Sequence, residues 1–315
     1  MKFKDNRLRD KIGVIAGPTA SGKTGLSIDV AKGLNPRGEI VYADSAAVYR
    51  CLDIGTAKPT VEEMREVPHH LIDVCDIDDD FNAEIYSKTA TDAVKKILKC
   101  KKVPIVTGGT GLYIKALVHG LFQSPKDTGG VREELLKELD ERGLDALFSK
   151  LKDVDRKSAE AISPNDRTRI IRALEIYRLT GRPASKIREK HAFKDSAFDP
   201  LYIGLKMDRK LLYRRIEDRV DQMIELGIIS EVEEILKRGY SPDCRSLSTI
   251  GYKEIVSHIR GEIDLETAIR LIKRNTRRLA KRQITWFKKV KGISWFEYPY
   301  DLPMILKKIN SFLNR

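Results

Sequence analysis

With 315 residues the chain has room for roughly two domains. Hydrophobic residues at 41% and charged residues at 33% are ordinary for a globular protein and exclude wholesale disorder. No apolar run approaches the roughly 18 residues of a membrane span, and the polar, charged stretch Met1–Arg9 does not read as a secretory signal. The net charge of +13 points to a polyanionic partner. Residues 200–315 carry 24 basic and 15 acidic side chains, so most of the excess lies in the last third. Cys51, Cys75, Cys100 and Cys244 form no C-x-x-C pair and no His cluster accompanies them. Reduced thiols in a cytosolic protein are expected, not a zinc site or a disulfide framework.

In chain order, Lys11–Ala16 reads as a strand, followed by a Gly-rich turn and a helical stretch to about Gly33. Strands are expected at Glu39–Ala43, His69–Val74 and Val103–Thr107, with a helix at Tyr86–Cys100 between the last two. Alternation of this kind implies a parallel sheet covered by helices. Residues 122–199 read differently. Val131–Lys152, Lys157–Ile162 and Asp166–Thr180 are helical, punctuated by Gly143, Pro164 and Gly181, and no strand is evident. A strand returns at Leu201–Lys206, then helices at Arg209–Leu226, Ser230–Arg238 and Leu265–Lys289, and a last strand at Ile293–Tyr298. The expected fold is α/β: a P-loop NTPase-like parallel sheet core in two pieces, 1–121 and 200–315, interrupted by an all-helical insertion at 122–199.

Gly17-Pro18-Thr19-Ala20-Ser21-Gly22-Lys23-Thr24 matches G-x-x-x-x-G-K-[ST], with a strand before it and a helix after it. Its glycines let backbone N–H groups turn toward phosphate oxygens. The helix N-terminus and Lys23 add positive potential, and the Thr24 hydroxyl can ligate Mg²⁺. The loop identifies a di- or triphosphate, of which ATP is the commonest case. Two apolar runs end in Asp, at Asp44 and Asp73, but neither is followed by Glu as an ATPase strand often is, and no N-K-x-D for guanine occurs.

A second Gly-rich turn, Gly108-Gly109-Thr110-Gly111, follows the Val103–Thr107 strand and does not fit a dinucleotide fingerprint. It is either a tight strand-to-helix turn or a way of placing a hydroxyl at the ligand crevice. Asp44 has three readings: a cap or surface residue, a Mg²⁺ ligand, or a general base beside the phosphate site. From Arg270 to Lys291 there are ten basic residues and no acidic one. Arg270, Lys273, Arg274, Arg277, Arg278, Lys281 and Arg282 fall on one helical stripe, with Ile269, Ile272, Leu279 and Trp286 opposite. Like charges at i,i+4 repel, so a polyanion that neutralises the stripe is expected over a solvated face, which usually mixes signs. His69-His70 and the acidic run Asp73 to Asp80 read as structural and solvated segments, without the spacing of a metal site.

The chain resembles the bacterial tRNA dimethylallyltransferases over nearly its whole length. The resemblance is carried by Gly17–Thr24, Asp44-Ser45 with Val48-Tyr49, Asp53-Ile54-Gly55-Thr56-Ala57-Lys58-Pro59, Pro68-His69-His70-Leu71-Ile72-Asp73 and Gly108–Tyr113. Pro164-Asn165-Asp166, Arg172–Glu175, Ile250-Gly251-Tyr252-Lys253 and Ala280-Lys281-Arg282-Gln283-Ile284-Thr285-Trp286-Phe287 continue it. It implies transfer of a dimethylallyl group from its diphosphate to N6 of the adenine 3′ of the anticodon, tRNA position 37, with the base flipped into the site. The loop would then bind a prenyl diphosphate with Mg²⁺, which accounts for the incomplete ATPase signature.

By the same resemblance Asp44 is the general base, Thr110 positions the reacting groups, and Arg219 joins Lys23 on the diphosphate. The anticodon stem-loop is implied to touch Asp44, Ser45, Ala46, Ala47, Thr110, Arg132, Thr168, Arg169, Arg172, Ser248, Gly251, Tyr252 and Lys253. The stripe, represented by Arg274, Arg278, Lys281 and Arg282, is assigned to the same RNA. One departure is visible: the family often has Met-Gln where this chain has Ala46-Ala47, so a Gln contact to the base is lost. No zinc-finger extension of the eukaryotic type follows Arg315, which fits a cytoplasmic bacterial enzyme; a monomer with no membrane partner is expected. The competing reading is a P-loop nucleotide or small-metabolite kinase, which leaves the basic stripe idle. An RNA-binding ATPase would use the stripe but not Asp44 and Thr110.

Overall fold

The computed structural model describes residues 9–121, 129–191 and 198–315. Met1–Leu8 and the expected domain boundary at residue 122 lie outside them. The chain divides into two compact units, Met1–Val118 with Ala197–Arg315, and His119–Ser196.

In the larger unit, β1 (Asp10–Ala16) runs into the glycine loop and α1 (Lys23–Gly33) starts from it. β2 (Gly38–Tyr42) is followed by α2 (Val61–Glu66), which starts from a capping box: Thr60 and Glu63 each accept the other's backbone N–H. β3 (His69–His70) is far shorter than the expected His69–Val74. Leu71 and Asp73 take positive φ values of 67° and 56°, which bend the chain out of the sheet. The Asp73 carboxylate then binds Lys58 at 2.5 Å. Next come α3 (Ala83–Lys99), capped by Asn82, then β4 (Val103–Gly108) and α4 (Gly111–His119).

The smaller unit is helical among the described residues, with α5 (Val131–Val154), α6 (Arg156–Ala161), α7 (Arg167–Thr180) and α8 (Ala184–His191). Gly143 breaks α5 with φ 77°. Buried Leu135, Leu147, Leu151, Ile170 and Leu174 give this unit its own core.

The chain re-enters the sheet with β5 (Phe198–Leu205), then α9 (Arg209–Glu225), α10 (Ile228–Lys237), α11 (Tyr252–Ile259), α12 (Leu265–Phe287), β6 (Ser294–Phe296) and α13 (Leu302–Leu313). Asp208 and Asp264 cap α9 and α12 by accepting N–H bonds in the first turn. The short helices α2, α8, α11 and α13 have no counterpart among the expected elements. Helix α4 corresponds to the strand-to-helix alternative for the Gly108 turn.

The six strands are all parallel, in the order β3-β2-β4-β1-β5-β6. Both faces are covered, so the strand sequences are nearly continuous apolar runs. Alternation still decides the partner. Ile12, Val14 and Ala16 join Val41, Val106, Tyr86 and Tyr252 on one face. Ile15, Ile105 and Ile203 meet Leu26 and Val30 of α1 and Ile305 and Ile309 of α13 on the other.

Parallel strands put every carboxyl end on one edge, where open α/β sheets bind ligands. There the ends of β2 and β4 are pinned by backbone bonds, Ala43 N–H to the Thr107 carbonyl at 2.7 Å and Thr110 N–H to the Ala43 carbonyl at 3.1 Å. The approach is so close that a Cβ on Gly108 would collide with the Ala43 carbonyl oxygen. Gly108→Ala is therefore expected to cost about 1–3 kcal/mol of stability. Urea denaturation checks this; an unchanged midpoint would contradict the packing.

Candidate active site

Three turns meet at the carboxyl edge. The first is the loop Gly17–Thr24. Gly22 holds φ 89° at the start of α1, a conformation that side chains rarely adopt. Lys23 folds back so that its Nζ donates to the Pro18 carbonyl at 2.7 Å. The second is Asp44 after β2. Its Oδ1 accepts the N–H groups of Ala46 and Ala47 at 2.9 and 3.3 Å, an Asx-type turn that holds the carboxylate at the strand end. The third is Gly109-Thr110 after β4. The Thr110 hydroxyl accepts the Ser45 N–H at 3.1 Å, tying this turn to the one carrying Asp44.

Arg219 of α9 closes the fourth side. Its Nη1 donates to Thr19 Oγ1 at 3.2 Å and its Nη2 to the Thr56 carbonyl at 3.0 Å. Two cavities flank this constellation. One, of about 580 Å³, is lined by the loop residues Thr19–Thr24, Tyr42, Asp44, Thr107, Arg219, Met223 and the exposed Leu226. The other, of about 480 Å³, is lined by Asp44, Ser45, Ala46, Thr110, Arg219, Ser248, Lys253 and Arg282. Thr19, Asp44, Thr56, Gly109, Arg219, Met223 and Gln283 belong to both walls, so the cavities adjoin along a partition that includes Asp44.

The first cavity is built for an anion. Burial pushes the Lys23 ammonium down to about 8, with Asp44 opposing and Arg219 reinforcing the shift. Burial also lowers Arg219, which Tyr42 and Asp44 partly offset. The Tyr42 phenol, pushed up to about 12 by burial, stays neutral and lies 3.2 Å from the Thr24 hydroxyl. Ser21 Oγ, Thr107 Oγ1 and Arg219 Nε are buried without a protein partner. Buried donors are seldom left so. Phosphate oxygens would satisfy them.

Mg²⁺ fits the same place. Among the described residues no group of three or more His, Cys, Asp or Glu could cage a metal by itself. Mg²⁺ needs only one or two protein ligands when phosphates and waters supply the rest. The Thr24 hydroxyl lines the cavity beside the loop.

The profile of the IPP transferase family matches residues 47–290. The chain belongs to this family. It is 48% identical to tRNA dimethylallyltransferase 2 of Geotalea uraniireducens over 308 residues, 98% of this chain and 99% of that protein. Its fold matches the tRNA isopentenylpyrophosphate transferase of Bacillus halodurans with a TM-score of 0.71, at 40% identity over 98% of this chain and 97% of the other. A eukaryotic dimethylallyltransferase captured acting on tRNA matches with a TM-score of 0.81, at 29% identity over 97% of this chain and 80% of that one.

Set against this family's implied contacts, the structure sorts the residues into groups. Lys23, Asp44, Thr110 and Arg219 converge as described. Ser45, Ala46, Ser248 and Lys253 line the second cavity. Two assignments are corrected. Tyr252 is fully buried, its hydroxyl donating to Glu231 at 2.6 Å and accepting the Gly55 N–H at 3.1 Å, and cannot reach RNA. Ala47 is also buried, packed with Ile28 and Tyr42, so its side chain does not face the base either. Gly251 is buried as the N-cap of α11.

The basic stripe divides as well. Lys273 binds Asp221 at 2.6 Å and Arg277 binds Glu217 at 2.6 Å, which fastens α12 to α9. Arg274, Arg278, Lys281 and Arg282 are exposed. Trp286, expected on the apolar side, is 37% exposed and packs on Gly111. In the smaller unit Arg172 and Arg132 bind the buried Glu175 at 2.8 and 3.4 Å, Arg169 binds Asp166 at 3.3 Å, and Thr168 is exposed.

Sequence reasoning gives no role to Lys58, Glu231 or Gln283, although all but Glu231 stand in the motifs that carry the resemblance. Lys58, nearly inaccessible, clasps Asp53 at 2.6 Å and Asp73 at 2.5 Å. Glu231 accepts the N–H groups of Asp53 and Ile54. Together they hold the Asp53–Pro59 loop that walls the first cavity.

A bound anion favours charged Lys23, so affinity must fall as pH rises through the free-protein value of about 8. Methyl diphosphate, whose own second ionisation is complete by about pH 8, is the probe. Without metal, calorimetry should find its affinity falling severalfold between about pH 8 and 9.5, and Lys23→Met should abolish the dependence. A flat wild-type profile would contradict the assignment.

Proposed function

We propose that this tRNA prenyltransferase moves a dimethylallyl group from dimethylallyl diphosphate to N6 of the adenine 3′ of the anticodon. The observation that carries this reading is the pair of cavities adjoining at Asp44, one bearing cations and orphaned hydroxyls, the other opening beside exposed basic side chains. A diphosphate suits the first. A stacked base cannot enter a cavity, so the adenine must flip out of the stack to reach the second.

The allylic C–O bond breaks with its electron pair leaving on the diphosphate. Lys23 and Arg219, with the loop at the start of α1, line the cavity where that charge develops, and they would stabilise it there. Mg²⁺, held at Thr24, would add Lewis-acid neutralisation of the diphosphate oxygens. The N6 lone pair forms the new C–N bond, and the N6 proton passes to the Asp44 carboxylate. Thr110, fixed to the Ser45 N–H, keeps the acceptor side in register with Asp44. With alanines at 46 and 47 no Gln side chain reads the adenine, and the exposed Ser45 of the same turn is left nearest to it.

We assign the RNA backbone to Arg274, Arg278, Lys281 and Arg282, four exposed members of the stripe whose charges are not engaged with α9. The resemblance adds Arg132, Thr168, Arg169 and Arg172 of the helical unit.

Incubation with labelled dimethylallyl diphosphate, Mg²⁺ and unmodified tRNA, then digestion to nucleosides, should yield N6-dimethylallyladenosine. ATP turnover without prenylated nucleoside would overturn the reading in favour of a kinase or ATPase. Asp44→Asn retains the Oδ1 turn but not the base, and should lower kcat about 10²–10⁴-fold at unchanged tRNA KM. Equal activity would refute Asp44 as base. Replacing Arg278 and Lys281 by Ala should weaken tRNA binding and reduce the slope of log K against log salt by about 1–2. Replacing Lys273 and Arg277 should instead lower thermal stability, because those charges hold α12 to α9.

A further inference from the structure

Gln283 lies on α12 directly after Arg282, and it is buried. Its two amide ends serve two different turns. Oε1 accepts the Thr19 N–H at 2.8 Å, and Nε2 donates to the Gly109 carbonyl at 3.1 Å. Thr19 in turn accepts from Arg219, on the diphosphate side. Gly109 precedes Thr110, whose hydroxyl holds Ser45 next to Asp44, on the acceptor side. A Cβ on Gly109 would collide with the Gln283 amide, so the contact is as tight as a core contact.

The residue type is dictated by this arrangement. The bridge needs one acceptor and one donor at a fixed spacing on one rigid group. A carboxylate offers two acceptors and would face the Gly109 carbonyl with its own oxygen; a hydrocarbon offers neither. Both amide atoms are engaged with protein, which makes Gln283 a tie between the two turns.

We propose that Gln283 is a positioning residue that locks the diphosphate loop to the Thr110 turn, fixing the separation between the leaving group and Asp44. The proposal rests on the prenyl-transfer reading. Transfer rates are steep in such geometry: a displacement of about 1 Å can cost around 10²-fold. The helix that sets this distance also carries Arg278, Lys281 and Arg282, so RNA bound there loads the same element.

The test uses the full chain with tRNA and dimethylallyl diphosphate. Q283M removes both hydrogen bonds at similar volume. It should lower kcat about 10–100-fold while tRNA KM changes by less than about threefold. Q283E is the second variant. Its ionised carboxyl repels the Gly109 carbonyl, whereas its protonated form restores the donor.

Lys23, Arg219 and Arg282 line the surrounding cavities and favour the charged form, while Asp44 and burial favour the neutral one. The kcat ratio of Q283E to wild type should therefore rise about tenfold from pH 8 to pH 6, with the ratio cancelling pH effects common to both proteins. A Q283M kcat within twofold of wild type, or a loss confined to tRNA KM, overturns the proposal. If Q283M does not fold, a pH-independent Q283E ratio overturns it. A wild-type chain that transfers no prenyl group overturns the functional reading, and this assignment with it.

Discussion

Two half-buried cations, Lys23 and Arg219, set the terms for the rest of the molecule. Taking an ammonium and a guanidinium out of water is costly unless each finds hydrogen bonds and opposite charge. Here the compensation from protein is incomplete. Lys23 donates to one carbonyl, Arg219 reaches a hydroxyl and a carbonyl, and Asp44 supplies the nearby negative charge. The remaining deficit appears as a depressed Lys23 and an unpartnered Arg219 Nε. On the proposed reading a diphosphate would remove that deficit, and charge developing on it during bond cleavage would strengthen the same contacts. Binding and catalysis would then draw on one preorganised field.

The fold supplies the place for that field. Because all six strands run the same way, the turns after β1, β2 and β4 open on one edge. The backbone pins between Ala43, Thr107 and Thr110 then bring two of those turns within hydrogen-bond distance. Asp44 ends up at the junction of two cavities rather than at the bottom of one, and a carboxylate there can meet an acceptor arriving from the far side. An ATPase arrangement has no use for the second cavity. A kinase would also place its acceptor in a second cavity, so it is the match to the IPP transferase family that separates prenyl transfer from the kinase reading that the glycine loop alone allows.

Much of the site was legible because its chemistry is encoded locally. G-x-x-x-x-G-K-T carries its own geometry, and strand-ending Asp44 and Thr110 follow from the βαβ pattern. What was not legible depends on residues far apart in sequence. Lys273 and Arg277 share the stripe's periodicity with Arg274 and Arg278, and only the position of Glu217 and Asp221 on α9 shows which edge faces inward. Gln283 meets Thr19 across 264 positions, a pairing that no local pattern encodes. Tyr252 and Ala47 stand beside functional residues, but Glu231 and the sheet core draw their side chains inward. The third strand stops short of the apolar run that predicts it, because positive φ angles at Leu71 and Asp73 turn the chain away and no local pattern shows them.

The central claim is that a prenyl diphosphate and an RNA acceptor occupy adjoining cavities at the same time. Calorimetry with dimethylallyl S-thiolodiphosphate, a poorly transferring analogue, and an anticodon stem-loop tests it most directly. The expected result is a ternary complex in which the stem-loop binds the analogue-saturated protein at least as tightly as the free protein. Mutual exclusion of the two, or displacement of the analogue only by ATP and not by inorganic diphosphate, would contradict it.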